Sequence, residues 1–283
     1  MLKSKVRLNN GNYMPNIMLG SFQVESQKIM TDMVRTAIEE KVYGFDTSPS
    51  YGTEKMLGDA IGQTLKEENV RREELFIANK VDGWQMCKNN GNITGCVEDS
   101  LKKMNLEYFD LLLVHWPFDK YLKQTWTCME QLLKEGIIKN IGLSNVNIRK
   151  YKEFLENNPE IEPQVIQNEI HPLNSCQEDI AFFQKRNIVM EAYSPLCKMI
   201  PDIRHSKILK DMEEKYNKTI PQILLRWNWE RNIVPIFTSI KSKRIRENVD
   251  IEDFSIDEED VKKIVAMNIN YKIFPESYGC PGY

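Results

Sequence analysis

The 283-residue sequence lacks paired cysteines, clustered histidines and any long apolar run. Its six cysteines lie far apart without a Cys-x-x-Cys pair, so neither a structural zinc site nor a redox pair is indicated. Its three histidines have no ligand spacing, and we expect no bound metal. No apolar run approaches the roughly 20 residues of a membrane span, and the first residues lack the apolar stretch of a signal peptide. We therefore expect a cytoplasmic protein with reduced thiols and no membrane contact.

The sequence also lacks a strong charge imbalance and any segment that resembles a linker. It has 38 Lys and Arg against 41 Asp and Glu, which gives a formal net charge of -3. No basic run stands out, so we expect no nucleic-acid partner. No low-complexity stretch divides the chain, and we interpret residues 1–283 as one domain. Because no large apolar stripe calls for a second subunit, we expect a monomer.

The most informative stretch is residues 44–52, with the sequence GFDTSPSYG. Its proline and glycines break regular structure, so Asp46 falls at a strand end and Tyr51 about one turn later. Lys80 and His115 end the next two predicted strands. An acid and a phenol fixed side by side suit proton transfer, provided that a neighbour lowers the pKa of the phenol from about 10. A lysine at the matching end of the next strand is suited to that task.

Strands and helices alternate regularly along the chain. An Asn/Gly turn within residues 6–14 predicts a β-hairpin, and eight strands interleaved with helices follow from residue 17. This regularity predicts an α/β protein of the (β/α)8 TIM-barrel type, whose active face lies at the carboxyl ends of the strands. A doubly wound sheet is the competing fold, but no G-x-G-x-x-G follows the first strand. The predicted strands cover residues 17–19, 42–46, 76–80, 109–115, 138–143, 164–169, 188–192 and 233–237. The predicted helices cover residues 27–40, 54–66, 93–104, 120–134, 148–156, 177–185, two stretches within 203–231, 243–248 and 256–267.

The last of these helices has a candidate start signal. Ser255 and Glu258 have the Ser-x-x-Glu spacing of a capping box, and we expect them to cap the helix over residues 256–267.

Six motifs occur in order and at consistent spacing: GFDTSPSYG at 44–52, Lys80, LVHWP at 113–117, GLSN at 142–145, PQVIQNEIHP at 163–172 and AYSPL at 192–196. Together they resemble the aldo-keto reductase family. That resemblance implies a barrel whose base is plugged by the N-terminal hairpin, and reduction of aldehydes and ketones with NADPH and without a metal. It also implies that the partner is a small-molecule carbonyl substrate.

The resemblance assigns a catalytic tetrad of Asp46, Tyr51, Lys80 and His115. Tyr51 would donate a proton to the carbonyl oxygen as hydride reaches the carbon, and the ammonium of Lys80 would lower the pKa of the phenol. Asp46 would pair with Lys80 and hold it in place. His115 would orient the carbonyl oxygen and take part in moving the proton. General acid catalysis of this kind supplies about 10²–10⁴-fold of rate.

The resemblance also implies a cofactor site and a substrate pocket. Thr238 stands where the family has a lysine for the 2′-phosphate, while Arg244 remains to bind that phosphate. We therefore expect NADP(H) to be favoured, with NAD(H) as the alternative. Cys197 stands where glycine is common, and we expect local repacking there. The implied cofactor residues are Gly20, Ser21, Asp46, Ser144, Asn145, Gln167, Tyr193, Ser194, Pro195, Leu196, Phe237, Thr238, Ser239, Arg244, Glu247 and Asn248. The implied pocket residues are Phe22, Tyr51, Trp84, His115, Trp116 and Phe118, with part of the tail at 271–283.

Two other functions fit parts of the pattern. In the first, the barrel uses Lys80 as the Schiff-base lysine of an aldolase or isomerase, which the nicotinamide-site motifs disfavour. In the second, the chain is a cofactor-binding regulatory or sensor subunit with little turnover, which an intact tetrad disfavours.

Overall fold

Eight parallel strands close into a barrel in the computed structural model, which describes residues 5–275. Each strand pairs with its successor along the chain, and the last strand pairs with the first. The predicted (β/α)8 fold is therefore confirmed. A separate antiparallel hairpin comprises β1 (Lys5–Arg7) and β2 (Tyr13–Pro15). The barrel strands are β3 (Met18–Gly20), β4 (Gly44–Asp46), β5 (Phe76–Val81), β6 (Leu111–Val114), β7 (Ile141–Ser144), β8 (Val165–Glu169), β9 (Val189–Tyr193) and β10 (Ile233–Phe237).

The helices follow the predicted order, with two short additions that apolar periodicity did not reveal. Both additions, α3 (Gly83–Lys88) and α8 (Pro201–Arg204), are too short for a repeating apolar face. In the part of the chain that the structure describes, no helix is both long enough and apolar enough to cross a membrane. The helices are α1 (Gln27–Glu39), α2 (Glu54–Glu68), α3 (Gly83–Lys88), α4 (Thr94–Met104), α5 (Asp119–Lys134), α6 (Ile148–Leu155), α7 (Gln177–Lys185), α8 (Pro201–Arg204), α9 (Lys207–Tyr216), α10 (Ile220–Glu230), α11 (Ser242–Val249) and α12 (Glu258–Ala266).

The predicted capping box at the start of α12 is wrong. The residue that precedes the helix is Asp257, whose backbone is extended with φ -61° and ψ 147°. The amide of Ile256 instead faces the carboxylate of Glu230, 3.3 Å from each oxygen. This tertiary contact holds the chain outside the helix until Asp257, so Ser255 lies too early to cap it.

The hairpin lies at the amino-terminal ends of the barrel strands. Its buried side chains Leu8 and Met14 join a cluster with residues that face the barrel interior, among them Phe76, Leu111 and Val165. The predicted plug at the base of the barrel is thus observed. A second and larger cluster fills the space between the barrel and the surrounding helices.

Side-chain alternation explains why polar residues collect at the opposite end. Along β5, Phe76 and Ala78 belong to the interior cluster, so Lys80 points to the same side two residues later. Along β6, Leu111 and Leu113 also belong to the interior cluster, and His115 follows two residues later on the same side. The interior is therefore apolar near its base, and its upper layer is formed by the ionisable side chains.

Candidate active site

An ion pair joins the ends of β4 and β5. The ammonium nitrogen Nζ of Lys80 lies 2.6 Å and 2.7 Å from the two carboxylate oxygens of Asp46, and it donates to the carbonyl of Thr47 at 3.1 Å. The Lys80 side chain is fully buried and that of Asp46 is 5% exposed. Burial alone would lower the pKa of Lys80, but the charge of Asp46 and the hydroxyl of Tyr51 outweigh burial and raise it. Lys80 is therefore a fixed cation at neutral pH.

Tyr51 packs against this cation. It ends a single turn of 3-10 helix, Pro49–Tyr51, which stops at Gly52 with a left-handed φ of 68°. The Nζ atom of Lys80 lies 5.0 Å from the centroid of the Tyr51 ring. Burial raises the pKa of Tyr51 to about 12, and the charge of Lys80 offsets only part of that rise. The predicted lowering of the phenol pKa by Lys80 is thus one contribution but not the net shift, and Tyr51 keeps its proton at neutral pH.

His115 lies beside Tyr51, with the two ring centroids 5.7 Å apart. Its Nδ1 atom is 2.5 Å from Oδ1 of Asp82 and 3.2 Å from the hydroxyl of Ser48. Burial lowers the pKa of His115, and the hydrogen bond with Asp82 opposes burial without cancelling it. Sequence reasoning selected His115 but missed Asp82 and Ser48. A signal was available, because Asp82 follows Lys80 by two residues and continues the same alternation.

A neutral carboxylic acid lies deeper in the barrel. The amide nitrogen Nε2 of Gln167 donates to Oδ2 of Asp46 at 3.1 Å and to Oε2 of Glu191 at 2.8 Å. The Glu191 side chain is completely buried. Burial and the nearby charge of Asp46 raise the pKa of Glu191 to about 8. The network thus connects the tetrad, through Gln167, to a protonated acid that sequence reasoning did not identify.

Glu191→Gln is expected to flatten the pH dependence of stability. Between its ordinary pKa near 4.5 and its folded value of about 8, folded Glu191 holds a proton that the unfolded chain has released. The free energy of unfolding of the wild type should therefore fall as pH rises through that window, by roughly 2–5 kcal/mol. The neutral glutamine removes this loss. Urea unfolding at pH 5 and pH 8 measures the change in the free energy of unfolding between these pH values. Glu68→Gln at an exposed position of α2 is the control. Parallel pH slopes for Glu191→Gln and wild type would contradict the assignment.

One cavity of about 1100 Å³ joins the tetrad to the start of α11 and its neighbouring loop. All six predicted substrate-pocket residues line it, as do most of the predicted cofactor residues. Lys80 does not, because Tyr51 and Asp46 cover it. The lining residues among those predicted are Gly20, Phe22, Asp46, Tyr51, Trp84, His115, Trp116, Phe118, Asn145, Gln167, Tyr193, Ser194, Pro195, Leu196, Phe237, Thr238, Ser239, Arg244, Glu247 and Asn248.

Two predicted cofactor residues, Ser21 and Ser144, do not line this cavity and make hydrogen bonds inside the protein. The hydroxyl of Ser21 lies 2.9 Å from the hydroxyls of both Thr47 and Thr53. The hydroxyl of Ser144 donates to the backbone carbonyl of Gln167 at 2.9 Å. Both side chains are buried, and neither lines the cavity. They hold the loops on which the cavity residues lie.

The cavity wall near His115 suits a nicotinamide dinucleotide. The hydroxyl of Tyr193 donates to Oδ1 of Asn145 at 2.7 Å, and Nδ2 of Asn145 donates to the backbone carbonyl of His115 at 2.8 Å. This chain of hydrogen bonds fixes the Tyr193 ring as a flat aromatic surface. A Cβ on Gly20 would come within 2.8 Å of Oγ1 of Thr238, so a larger residue there would displace a side chain that lines the same cavity. The residues present therefore fit the expected cofactor.

The loop after β9 contains a left-handed turn. Residues Cys197, Lys198 and Met199 have φ of 47°, 48° and 50°, a conformation that costs an L-residue roughly 1–2 kcal/mol each. The buried thiol of Cys197 thus occupies a backbone conformation that glycine adopts without strain, and the expected repacking around it stays a prediction. Lys198 and Met199 line the cavity.

The carboxylate of Glu169 fixes the C-terminal wall of the cavity. It accepts hydrogen bonds from the backbone amides of Ile273 at 2.6 Å and Phe274 at 3.0 Å. The ring of Phe274 lines the cavity, as expected for part of the tail at 271–283. The expected contribution of residues 276–283 lies outside the described residues.

Comparisons with known proteins identify the family. The sequence profile described as "Aldo/keto reductase family" matches residues 16–200 and 201–269. The chain belongs to the aldo/keto reductase family. It is 38% identical to the glyoxal reductase of Bacillus subtilis over 274 residues, which are 97% of this chain and 96% of that protein.

Solved structures of the same family superpose closely. An aldo-keto reductase from a Medee basin deep-sea metagenome library is 37% identical, with a TM-score of 0.88 over 95% of this chain and 97% of that one. The Bombyx mori aldo-keto reductase in complex with NADP is 28% identical, with a TM-score of 0.89 over 98% and 96% of the two chains. As a member of this family, the chain is an oxidoreductase that reduces aldehydes and ketones. Within residues 5–275, no group of three or more His, Cys, Asp or Glu side chains is arranged to hold a metal ion.

Proposed function

We propose that the chain reduces small aldehydes and ketones with NADPH, and that 2-oxoaldehydes such as glyoxal and methylglyoxal are among its substrates. The placement of Tyr51 carries the proposal, because its protonated phenol lies between the cation of Lys80 and the ring of His115 at the wall of one large cavity. The relatives named glyoxal reductase and methylglyoxal reductase support the substrate class.

Each tetrad residue has a separate task in this proposal. The reduced nicotinamide, when bound, supplies the hydride. Tyr51 gives its proton to the oxygen of the substrate, and Lys80 stabilises the phenolate that remains, because their opposite charges attract across a buried site. Asp46 holds Lys80 through both carboxylate oxygens. His115 positions the substrate oxygen next to the Tyr51 hydroxyl.

The ion pair argues against the Schiff-base alternative. A Schiff-base lysine must lose its proton to attack a carbonyl. Lys80 instead directs its ammonium group to Asp46 and Thr47, and its pKa is raised rather than lowered. Lys80 therefore acts as a fixed cation and not as a nucleophile.

The far end of the cavity would hold the adenosine part of the cofactor. Arg244, Glu247 and Asn248 line that end, and Thr238 lies beside Gly20. In this proposal Arg244 binds the 2′-phosphate without help from residue 238, so NADPH is favoured over NADH by a modest margin.

Thr238→Lys is expected to tighten NADPH binding about tenfold and to leave NADH binding unchanged. The added ammonium would form a charge-assisted hydrogen bond with the 2′-phosphate, and about 1.4 kcal/mol corresponds to tenfold. Fluorescence titration with both cofactors measures the effect, and Thr238→Met controls for the longer side chain. An equal gain for both cofactors would show that position 238 does not face the 2′-phosphate.

Steady-state assays of NADPH consumption with a panel of carbonyl compounds test the proposed function. We expect turnover with several aldehydes, including methylglyoxal, and slower turnover with NADH. Tight NADPH binding without turnover of any carbonyl would overturn the proposal and favour the sensor alternative.

We further propose that residues 1–283 act as one domain, in a monomeric and cytoplasmic enzyme that binds no nucleic acid.

A further inference from the structure

Asp82 makes contacts that the proposed tetrad does not explain. It follows β5 directly and lines the cavity, and its side chain is 6% exposed. Its Oδ1 atom is 2.5 Å from Nδ1 of His115, and its Oδ2 atom accepts from the amide of Ser50 at 2.8 Å and the hydroxyl of Ser48 at 3.1 Å. Both oxygens of Asp82 thus have hydrogen-bond partners, and Oδ2 accepts from two donors.

The ionisation of Asp82 decides where the proton of His115 lies. Burial would raise the pKa of Asp82, but the hydrogen bond and charge of His115, with the donors Ser50 and Ser48, outweigh burial and lower it. An ionised carboxylate can only accept hydrogen bonds. Nδ1 of His115 must therefore carry the proton in that contact. In the neutral ring, Nε2 then has a lone pair and no proton to donate.

We propose that Asp82 is a positioning residue for carbonyl reduction, which fixes the Nδ1–H tautomer of His115 and makes the doubly protonated ring the form that donates from Nε2 to the substrate oxygen. The inference rests on the proposed reduction of carbonyls by this site. The proton on Nε2 stays on His115 in this step, and Tyr51 still supplies the proton that the product keeps. His115 therefore contributes a hydrogen bond that strengthens as negative charge develops on the oxygen.

The charges around His115 set how its protonation depends on pH. Lys80 below the ring disfavours a second positive charge, while Asp82 beside it and Asp46 below favour one. Tyr51 packs against the ring as a neutral phenol, and Trp116 stacks on it with centroids 6.3 Å apart. Because burial lowers the pKa of His115 below its ordinary value of 6.5, the doubly protonated fraction is lost as pH rises through the acidic range, before neutrality. The kcat/KM for an uncharged aldehyde should therefore decrease on the basic side with the loss of one proton.

Asp82→Asn tests the proposal by removing the charge and keeping the shape. We expect the basic limb of the kcat/KM profile to move to lower pH by one unit or more, with kcat/KM falling about tenfold at pH 7 and the loss appearing in kcat rather than KM. Asp59→Asn at an exposed position of α2 is the matched control, since it makes the same change of side chain away from the site. In that variant we expect the basic limb to stay in place. An equal loss of activity at every pH in Asp82→Asn would indicate a purely structural role and overturn the proposal.

The tautomer can be measured without turnover. The chain has only three histidines, so ¹⁵N NMR of histidine-labelled wild type at pH 8 separates their ring nitrogens. The signal that His115→Gln removes belongs to His115, and we expect a protonated Nδ1 and an unprotonated Nε2. A proton on Nε2 in the neutral ring would overturn the proposal even if the enzyme reduces carbonyls as expected. Conversely, a failure of carbonyl reduction would leave the NMR result unaffected.

Discussion

Tyr51→Phe is expected to lower kcat for carbonyl reduction by about 10²–10⁴-fold, the range that general acid catalysis supplies. The substitution removes the phenolic proton and keeps the ring, so the contact with the ammonium of Lys80 and the shape of the cavity are preserved. The Kd for NADPH should therefore stay close to the wild-type value. Stopped-flow and steady-state assays of NADPH consumption measure kcat, and fluorescence titration measures the Kd for NADPH.

The control for this experiment is Tyr13→Phe. Tyr13 is 56% exposed and lies in the hairpin at the opposite end of the barrel, so its hydroxyl has no route to the reaction. A kcat for Tyr51→Phe within about threefold of wild type would remove Tyr51 from the role of general acid, because such a loss lies well below the expected range.

Lys80→Met is expected to affect both stability and catalysis. It leaves the carboxylate of Asp46 buried without a counter-ion, and breaking a buried ion pair in this way costs about 3–5 kcal/mol. It also removes the cation that stabilises the phenolate of Tyr51, so kcat should fall on the order of 10²-fold or more. Urea denaturation gives the free energy of unfolding, and assays at saturating NADPH give kcat.

The double variant Lys80→Met/Asp46→Asn separates the two effects. The neutral amide of the new side chain removes the buried charge, while the acceptor for Gln167 at that position is kept. We expect the double variant to recover part of the lost stability and none of the lost activity. Recovery of activity along with stability would mean that Lys80 only supports the fold.

The clustering of Asp46, Lys80 and His115 could be predicted from the sequence because barrel geometry brings strand ends together, whereas their catalytic roles were implied by the family resemblance and stay a prediction. Polar residues at the ends of consecutive parallel strands must meet at one face of the barrel. Alternate residues of β5 and β6 face the barrel interior, so Lys80 and His115, which continue that alternation, also point to the interior. The pairing of Asp46 with Lys80 follows from charge and from the adjacency of β4 and β5. Neither step needs the detailed path of a loop.

Other features depend on contacts between distant loops, and the sequence pattern did not reveal them. Alternation along β5 indicates the side on which Asp82 lies, but its contact with His115 also depends on the positions of the loops after β5 and β6. The hydroxyls of Ser21 and Ser144 could not be assigned to internal hydrogen bonds without their partners. The raised pKa of Glu191 follows mainly from its complete burial, and the sequence of the strand does not indicate that this glutamate is buried.

The most direct test of the central claim follows the hydride itself. NADPH that carries deuterium on the transferring position of its nicotinamide is incubated with the enzyme and methylglyoxal, and the alcohol is analysed by mass spectrometry and NMR. The account predicts one deuterium on the carbinol carbon, delivered to a single face, and almost none with Tyr51→Phe. Alcohol formed without deuterium, or carbonyl turnover that does not require NADPH, would contradict hydride transfer at this site.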